Sequence, residues 1–261
     1  RVTETPGLQY RMAWPNYELE SARGTRKSPL FDRLNALGAF HGSKMAIERP
    51  TWFMRNGVKP VMDYSFGRQN WWDCLAAEHR AARENVAAWD QSSFSKFILK
   101  GRDAVRVLDR LSPNYADVPV GKLVYSGMLN ARGGYESDLC FARIAEDQYY
   151  IVTGSAQPTR DFYWIHKHIL PEERATITDV THAYGVIGVM GPNSRRLLNE
   201  LTDADLSLRA FPFSSGQWHS LANTNVLMLR ITYVGELGWE LHARMDQIQG
   251  VFDALQAVGK K

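Results

Sequence analysis

Residues 125–143, reading Tyr-Ser-Gly-Met-Leu-Asn-Ala-Arg-Gly-Gly-Tyr-Glu-Ser-Asp-Leu-Cys-Phe-Ala-Arg, are the stretch that most constrains the fold. Apolar residues predict strands at 124–129 and 139–142, and residues 130–134 between them have the composition of a turn. Gly133 and Gly134 suit that turn because glycine accepts the positive φ angles of a tight chain reversal. The stretch therefore predicts an antiparallel hairpin, which a further strand at 148–152 continues.

Asp138 is the unusual residue of this hairpin. It lies at the predicted hairpin mouth, directly before an apolar strand, although aspartate is disfavoured in strands. Its side chain either bonds the amides of the nearby turn or takes part in chemistry. For a lone aspartate at a loop end, the first role is the commoner one.

A second glycine hairpin follows near the C-terminus. Residues 227–232 predict a strong strand, and Gly235 and Gly238 then flank Glu236, with Glu240 on the returning strand. Tyr233 precedes this tip, just as Tyr125 precedes the first one.

The two hairpins could line one cleft. Each presents a carboxylate beside an aromatic ring, Asp138 with Tyr125 and Glu236 with Tyr233. A carboxylate accepts hydrogen bonds from rings that offer paired N–H donors, aromatic side chains stack on such rings, and a carboxylate in a partly dry pocket also serves as a general base. From these residues alone, two purely structural turns remain the alternative.

The alternation of elements predicts an α+β fold, with antiparallel sheets flanked by helices. Helical spacing of apolar residues predicts helices at 73–89, 103–111, 159–170 and 246–258. The predicted strand pairs are hairpins, which disfavours a parallel sheet. Glycine and proline interrupt residues 1–50 so often that we expect a connector there, with one short helix at 29–37.

Composition excludes several classes of function. The 261 residues are 44% hydrophobic and 23% charged, as in a globular protein, and the net charge of +3 is too small for a nucleic-acid-binding surface. No apolar run reaches the roughly 20 residues that cross a bilayer, so a membrane protein is not expected. The first residues show no positively charged segment followed by an apolar core, so secretion is not expected either. Cys74 and Cys140 have no metal or redox spacing and predict free thiols in a reducing compartment, and no metal site is expected.

Three catalytic motifs are also missing from the sequence. It contains neither of the glycine patterns that bind dinucleotides or phosphates, GxGxxG and GxxxxGK[ST]. It also lacks the G-x-S-x-G elbow of serine hydrolases.

One ordered set of motifs runs through most of the chain: Tyr125, Met128-Leu129-Asn130, Gly133-Gly134, Ser137-Asp138-Leu139, Gly191-Pro192, Tyr233, Gly235-Glu236 and Gly238-Trp239-Glu240-Leu241. This set resembles the folate-binding aminomethyltransferase family, which includes the T-protein of the glycine cleavage system. The segment 48–53, Glu-Arg-Pro-Thr-Trp-Phe, resembles the junction in sarcosine and dimethylglycine dehydrogenases where the tail of a flavin domain meets a C-terminal folate domain.

The resemblance implies roles for individual residues. Asp138 matches the carboxylate near the reactive folate nitrogens and is expected to be the catalytic base or positioning group. Tyr125 matches a folate-contacting tyrosine, Glu236 matches the glutamate that holds the pterin, and Tyr233 is expected to contact the folate. The family pattern has two aspartates where this chain has Ser137 and Asp138, and the second, matched by Asp138, is retained.

The resemblance also implies a domain organisation. Residues 1–47 are expected to be the tail of an FAD oxidoreductase domain, absent here and acting in cis. Residues 48–261 are expected to form the folate module, with one subdomain at 48–91 plus 181–261 and an inserted subdomain at 92–180. The family's C-terminal barrel is expected to be missing, so this chain alone is expected to be weakly active or inactive.

The implied function is one-carbon transfer to tetrahydrofolate, giving 5,10-methylenetetrahydrofolate from the carbon that N-methyl amine oxidation releases. FAD would belong only to the absent domain, and neither nucleic acid nor membrane is expected as a partner. The expected location is the bacterial cytoplasm or the mitochondrial matrix. The alternative is a non-catalytic regulatory or interaction subunit of the same architecture, like the pyruvate dehydrogenase phosphatase regulatory subunit.

Overall fold

The computed structural model describes residues 2–12, 14–55 and 57–260. The α-helices are α1 (Glu4–Gly7), α2 (Phe31–Ala36), α3 (Trp72–Glu84), α4 (Ala104–Leu111), α5 (Pro158–Lys167), α6 (Ser194–Asn199) and α7 (Ile248–Gly259). The strands are β1 (Ala39–Lys44), β2 (Ile47–Phe53), β3 (Ala87–Asp90), β4 (Ser95–Lys100), β5 (Leu123–Leu129), β6 (Tyr135–Ala145), β7 (Gln148–Thr153), β8 (Thr176–Asp179), β9 (Tyr184–Met190), β10 (Ser215–Leu221), β11 (Thr224–Arg230) and β12 (Gly238–Arg244).

The strands form three antiparallel sheets. β1 and β2 make a two-stranded ribbon. Sheet I has the order β10-β11-β12-β9-β3, and sheet II has the order β5-β6-β7-β4-β8. Every strand pairing in these sheets is antiparallel, and no sheet of the described residues closes into a barrel. The predicted α+β class with antiparallel sheets flanked by helices is confirmed.

Within the residues that the structure describes, helices pack on one face of each five-stranded sheet. One buried cluster packs sheet I against helices α2, α6 and α7, through residues such as Trp239, Leu198 and Val251. A second cluster packs sheet II against α4 and α5, through residues such as Val107 and Ile165. Side chains alternate between the two faces of a strand, so each sheet packs one apolar face on helices and has a second face that must be buried elsewhere.

The two sheets cover those second faces with each other. A third buried cluster, which we call the seam, consists of Leu123, Ala142 and Tyr150 from sheet II with Leu227 and Leu229 from sheet I. At one edge the sheets are also joined by backbone hydrogen bonds, from the Leu123 amide to the Ser214 carbonyl (3.0 Å) and from the Gly216 amide to the Gly121 carbonyl (2.8 Å). The architecture is four layers: helices, sheet I, sheet II, helices.

The segment before residue 48 packs on sheet I. Leu30, Leu34 and Ala39 belong to its buried cluster, and the Arg33 guanidinium contacts the Asp253 carboxylate of α7 at 2.7 Å. The proposed boundary at residue 48 and the two proposed subdomains stay predictions. Within the described residues, no helix has the length and apolar character that crossing a bilayer requires.

Two local predictions differ from the structure. The helix predicted at 73–89 ends at Glu84, because Asn85 leaves helical geometry (φ −139°, ψ −110°) and Ala87–Asp90 pairs with β9 instead. The short helix predicted at 29–37 is present as α2, but the rest of the predicted connector also contains the β1–β2 ribbon. Its turn uses Met45 and Ala46 at positive φ (50° and 64°), so no glycine marks it in the sequence.

We expect Trp239→Ala to lower the free energy of unfolding by about 3–5 kcal/mol, the usual cost of removing a buried large aromatic side chain. The Trp239 ring is fully buried, with Phe211 at its edge and the Arg230 guanidinium over its face. Chemical denaturation measures the change.

Trp218→Ala is the matched control, because Trp218 is in the same sheet but 42% exposed. A loss of stability in the Trp218 variant as large as that in the Trp239 variant would contradict the packing described here.

Candidate functional site

The pairing register turns Asp138 toward sheet I. Asp138, Cys140 and Ala142 alternate along β6 and so share one face, and Ala142 belongs to the seam. Solvent exposure rises along this row, from buried Ala142 through half-buried Cys140 to exposed Asp138. Asp138 therefore lies where the seam between the two sheets opens to solvent. It lies within a strand, not at the mouth of the hairpin.

Tyr125 and Asp138 are brought together as predicted by the first hairpin. The Tyr125 hydroxyl donates to Asp138 Oδ2 at 3.3 Å. The charge of Asp138, followed by Tyr135, raises the pKa of Tyr125 to about 12, so this hydroxyl remains protonated and available as a donor. Tyr135 is 62% exposed, and its ring covers Gly127, where a Cβ atom would lie 2.5 Å from it.

A buried carboxyl holds the strand segment next to Asp138. The Ser137 hydroxyl points to the helix side of sheet II and donates to Asp161 Oδ2 at 2.9 Å. The Thr153 hydroxyl donates to the same oxygen. Burial raises the pKa of Asp161, and the charge of Asp138 acts in the same direction. Asp161 thus anchors β6 from the helix side of sheet II and, being buried, adds no group to the exposed surface around Asp138.

Glu240 lies on the facing side of sheet I. Its cross-strand partners are Gly188 and Leu229, and Leu229 belongs to the seam. Paired residues share a sheet face, so Gly188 opens toward sheet II as well. The side chain of Gln91 fills the space over Gly188, where a Cβ atom would lie 2.6 Å from Gln91 Oε1. That oxygen is buried and has no hydrogen-bond donor in the structure.

The surroundings of Cys140 show that the carboxylates of Asp138 and Glu240 lie near the same part of the seam. Burial raises the pKa of its thiol to about 12, and the charges of Glu240 and then Asp138 add to the effect. The thiol therefore stays protonated. One acid from each sheet is close enough to affect it, and we call Asp138, Cys140, Glu240 and Gln91 the polar seam.

A buried polar chain lies directly behind the polar seam. The His242 ring is hydrogen-bonded to Tyr150 (Nδ1 to hydroxyl, 3.0 Å) and to Glu240 (Nε2 to Oε2, 3.2 Å).

Lys96 of β4 is a second buried polar group, and its ammonium donates to the Ser92 carbonyl at 2.8 Å. Burial lowers the pKa of Lys96 to about 7, against the opposing charges of Asp90, Asp179 and Glu240.

The structure places the other two predicted site residues elsewhere on the second hairpin. Glu236 lies in the connection between β11 and β12, and its carboxylate pairs with the Arg83 guanidinium of α3 at 2.7 Å. Tyr233 is 87% exposed on the same connection. No hydrogen bond or ion pair of the described residues joins either of them to Asp138 or Tyr125. Their roles stay predictions.

Glu240, Gln91 and Tyr135 were not predicted from the sequence as site residues. The period of two along residues 238–244 marks Glu240 as sharing a face with His242, opposite to Trp239. Nothing in the sequence indicates which of those faces meets the other sheet. No local sequence pattern marks Gln91 as a site residue, because its side chain reaches the opening only through the space that Gly188 leaves free.

A separate cavity of about 360 Å³ lies on the helix side of sheet II. Its walls include Ser95, Ser155 and Phe162, and Arg26 of the N-terminal segment closes one side. None of the residues of the polar seam lines it.

The fold and this site define an α+β protein with a carboxylate-lined opening between its two five-stranded sheets. The profile of the family described as "GCVT N-terminal domain" matches residues 30–261, and the chain belongs to that family. The expected membership of the aminomethyltransferase family is confirmed.

Solved structures show the same fold. The glycine cleavage system aminomethyltransferase T from Bartonella henselae aligns with a TM-score of 0.69 at 22% identity, over 88% of this chain and 56% of that one. A chain of the heterotetrameric sarcosine oxidase from Corynebacterium sp. U-96 aligns with a TM-score of 0.55 at 18% identity, over 75% of this chain and 96% of that one.

Curated relatives match the chain over its whole length. It is 39% identical to 4-methylaminobutanoate oxidase (formaldehyde-forming) of Paenarthrobacter nicotinovorans, and 32% identical to human mitochondrial dimethylglycine dehydrogenase. It is 31% identical to the mitochondrial pyruvate dehydrogenase phosphatase regulatory subunit of Mus musculus. The chain spans only 31%, 30% and 30% of these three proteins, so each contains much more sequence than this module.

We expect Lys96→Met to flatten the dependence of thermal stability on pH. Burial lowers the pKa of Lys96 from 10.5 to about 7. Between these values the unfolded state binds a proton that the folded state lacks, so the stability of the wild type rises with pH through that interval. Melting temperatures from pH 7 to about 9 measure the slope, which the variant should lose in part.

Lys100→Met on the same strand is the control, because Lys100 is exposed. An unchanged slope in the Lys96 variant would show that its ammonium group is not buried as described.

Proposed function

We propose that this chain is a tetrahydrofolate-binding one-carbon transfer module of a demethylating dehydrogenase or oxidase. The carrying observation is that one carboxylate from each sheet, Asp138 and Glu240, faces the same opening of the seam. The curated relatives include an oxidase described as formaldehyde-forming and a dimethylglycine dehydrogenase, which supports a one-carbon substrate. The product would be 5,10-methylenetetrahydrofolate.

Acceptor groups on sheet I fit the pterin ring. A pterin offers an amino group and an adjacent ring N–H as paired donors, and one carboxylate accepts such a pair. Glu240 supplies a carboxylate with a side chain that is 17% exposed, and Gln91 adds a buried oxygen that lacks a donor. Glu236, predicted for the same role, already accepts from Arg83. Glu240 is therefore a second candidate for the pterin contact.

Groups on sheet II fit the chemical step. Tetrahydrofolate nitrogens form two bonds to the carbon of formaldehyde or an equivalent iminium. The formaldehyde oxygen then leaves as water, or the iminium nitrogen leaves as an amine, with the protons that the two folate nitrogens lose. The nitrogen that attacks must lose its proton, and Asp138 is the exposed carboxylate that would accept it. The Tyr125 hydroxyl donates to Asp138 and keeps its carboxylate in place. Tyr125 and Tyr135 offer ring faces for the aminobenzoyl part of folate.

The wider context is proposed from the relatives. Their extra length is consistent with an FAD oxidoreductase domain joined in cis, with residues 1–47 as its tail and 48–261 as the folate module. FAD would belong to that domain. A bacterial cytoplasmic or a mitochondrial matrix location is consistent with the sources of the relatives. A non-catalytic regulatory role remains the second candidate, because one relative is a regulatory subunit.

Titration calorimetry with tetrahydrofolate under reducing conditions tests binding. We expect Glu240→Gln to weaken binding about tenfold to a hundredfold, because it removes one charged acceptor from a pair of donors. Glu236→Gln is the matched variant on the same hairpin, and a loss there instead would assign the pterin contact to Glu236. Wild-type protein, tested also at full length, that binds no tetrahydrofolate would contradict the proposal.

Formation of methylenetetrahydrofolate from formaldehyde tests the chemistry in the same full-length protein. We expect Asp138→Asn to lower the rate by about 10²- to 10⁴-fold, the usual contribution of a general base, with binding nearly unchanged. Asp117→Asn is the control, because Asp117 is an exposed residue paired with Arg143. Folate binding without any Asp138-dependent transfer would favour the regulatory candidate.

A further inference from the structure

We infer that Tyr150 and His242 are positioning residues that orient the Glu240 carboxylate for its ligand. The inference rests on the proposed function, since it assigns Glu240 to the pterin ring. It adds two residues that lie behind the binding surface, one on each sheet. Tyr150 lies on β7 of sheet II, and His242 lies on β12 of sheet I.

The hydrogen bonds that join Tyr150, His242 and Glu240 have only one consistent direction. A carboxylate can only accept, so the 3.2 Å contact to Glu240 requires a proton on His242 Nε2. Burial lowers the pKa of His242, so the ring is neutral near pH 7 and Nδ1 carries no proton. The Tyr150 hydroxyl must then donate to Nδ1 across 3.0 Å. Donation runs from Tyr150 through His242 to Glu240.

Burial keeps this direction fixed. His242 is 0% exposed and Tyr150 is 2% exposed, so water does not compete for either bond. The charged and titratable groups around the ring are Glu240 on its own strand, Lys96 of β4 and, behind Tyr150, Tyr184 of β9. Burial raises the pKa of Tyr150 well above its ordinary value, so its hydroxyl stays a donor.

The consequence concerns Glu240. A glutamate has three rotatable side-chain bonds, and a free carboxylate would sample several orientations at an entropic cost to binding. A donor fixed at Oε2 selects one orientation and leaves the remaining lone pairs of the carboxylate for a ligand with paired N–H donors. Because Tyr150 belongs to the other sheet, that orientation also depends on how the two sheets pack.

Tyr149 provides a matched comparison on the same strand. It is fully buried, like Tyr150, and its hydroxyl also makes one hydrogen bond, to the Ala116 carbonyl at 2.9 Å. It faces the helix side of sheet II, in the cluster with α4 and α5. Tyr149→Phe and Tyr150→Phe thus remove equivalent buried bonds, and only the second acts on His242.

The experiment compares these two variants by titration with tetrahydrofolate and by steady-state transfer kinetics. We expect Tyr150→Phe to raise Kd and KM about fivefold, the effect of one lost hydrogen bond, with kcat retained. Tyr149→Phe should change Kd and KM less than twofold. In a Glu240→Gln background, Tyr150→Phe should have no further effect, because the carboxylate it orients is gone. Equal affinities of the wild type and Tyr150→Phe would overturn the inference.

The ring nitrogens of His242, observed by ¹⁵N NMR in protein without ligand, separate this inference from the proposed function. We expect a single Nε2–H tautomer in the wild type and in both variants, because Glu240 accepts that proton. The Nδ1 resonance should shift in Tyr150→Phe and not in Tyr149→Phe, because Nδ1 loses its donor only in the first variant. If the wild type binds no tetrahydrofolate, the proposed function fails, while this tautomer pattern still supports the fixed Glu240. An Nδ1–H tautomer in the wild type would overturn the inference whatever the binding result.

Discussion

The face-to-face packing of the two sheets is the constraint on which the rest of the structure depends. Each sheet has helices on one face, so its other face must be buried against something apolar. The seam residues meet this need, with Leu123 and Ala142 packed against Leu227 and Leu229. Backbone bonds between residues 121–123 and 214–216 fix the sheets at one edge. Position along the seam then decides which side chains are dry and which reach solvent.

Polarity increases along the seam in the same direction on both sheets. On sheet II the row runs from Ala142 through Cys140 to Asp138, and on sheet I it runs from His242 to Glu240. Tyr150 is the cross-strand partner of Ala142 and is hydrogen-bonded to His242, so the buried ends of the two rows lie opposite each other. A ligand entering between the sheets would meet the two acids before it reached buried neutral groups. Under the proposed function, ring recognition would fall to Glu240 on sheet I and proton transfer to Asp138 on sheet II.

Local signals predicted the elements, and pairing between distant segments decided the exceptions. The hairpin around Gly133 and the strand that continues it at 148–152 were predicted correctly because their turn residues and apolar runs are adjacent in sequence. The helix predicted to reach Trp89 was too long, since Val86 and Trp89 continue the helical spacing but residues 87–90 gain a partner in β9. No local pattern contains that partner.

In the candidate site, too, contacts within one hairpin were predictable from the sequence and contacts between distant segments were not. Tyr125 and Asp138 lie on neighbouring strands of one hairpin, so their contact follows from a local register. The acid of the second hairpin could not be chosen this way. Glu236 is at the tip and Glu240 is on the strand, and only the packing of one sheet on the other turns Glu240 toward Asp138. Such a choice depends on contacts between residues about a hundred positions apart, as the bond between Tyr150 and His242 shows.

Because the two acids belong to different sheets, the seam sets their separation. A substitution at Leu227 or Ala142 would change the spacing of the sheets without touching a ligand, and interiors transmit such strain because they are closely packed. Function here would then be sensitive to buried apolar residues that carry no chemistry. Under the proposed function, a change of side-chain volume in the seam would alter ligand binding even though Asp138 and Glu240 were unchanged.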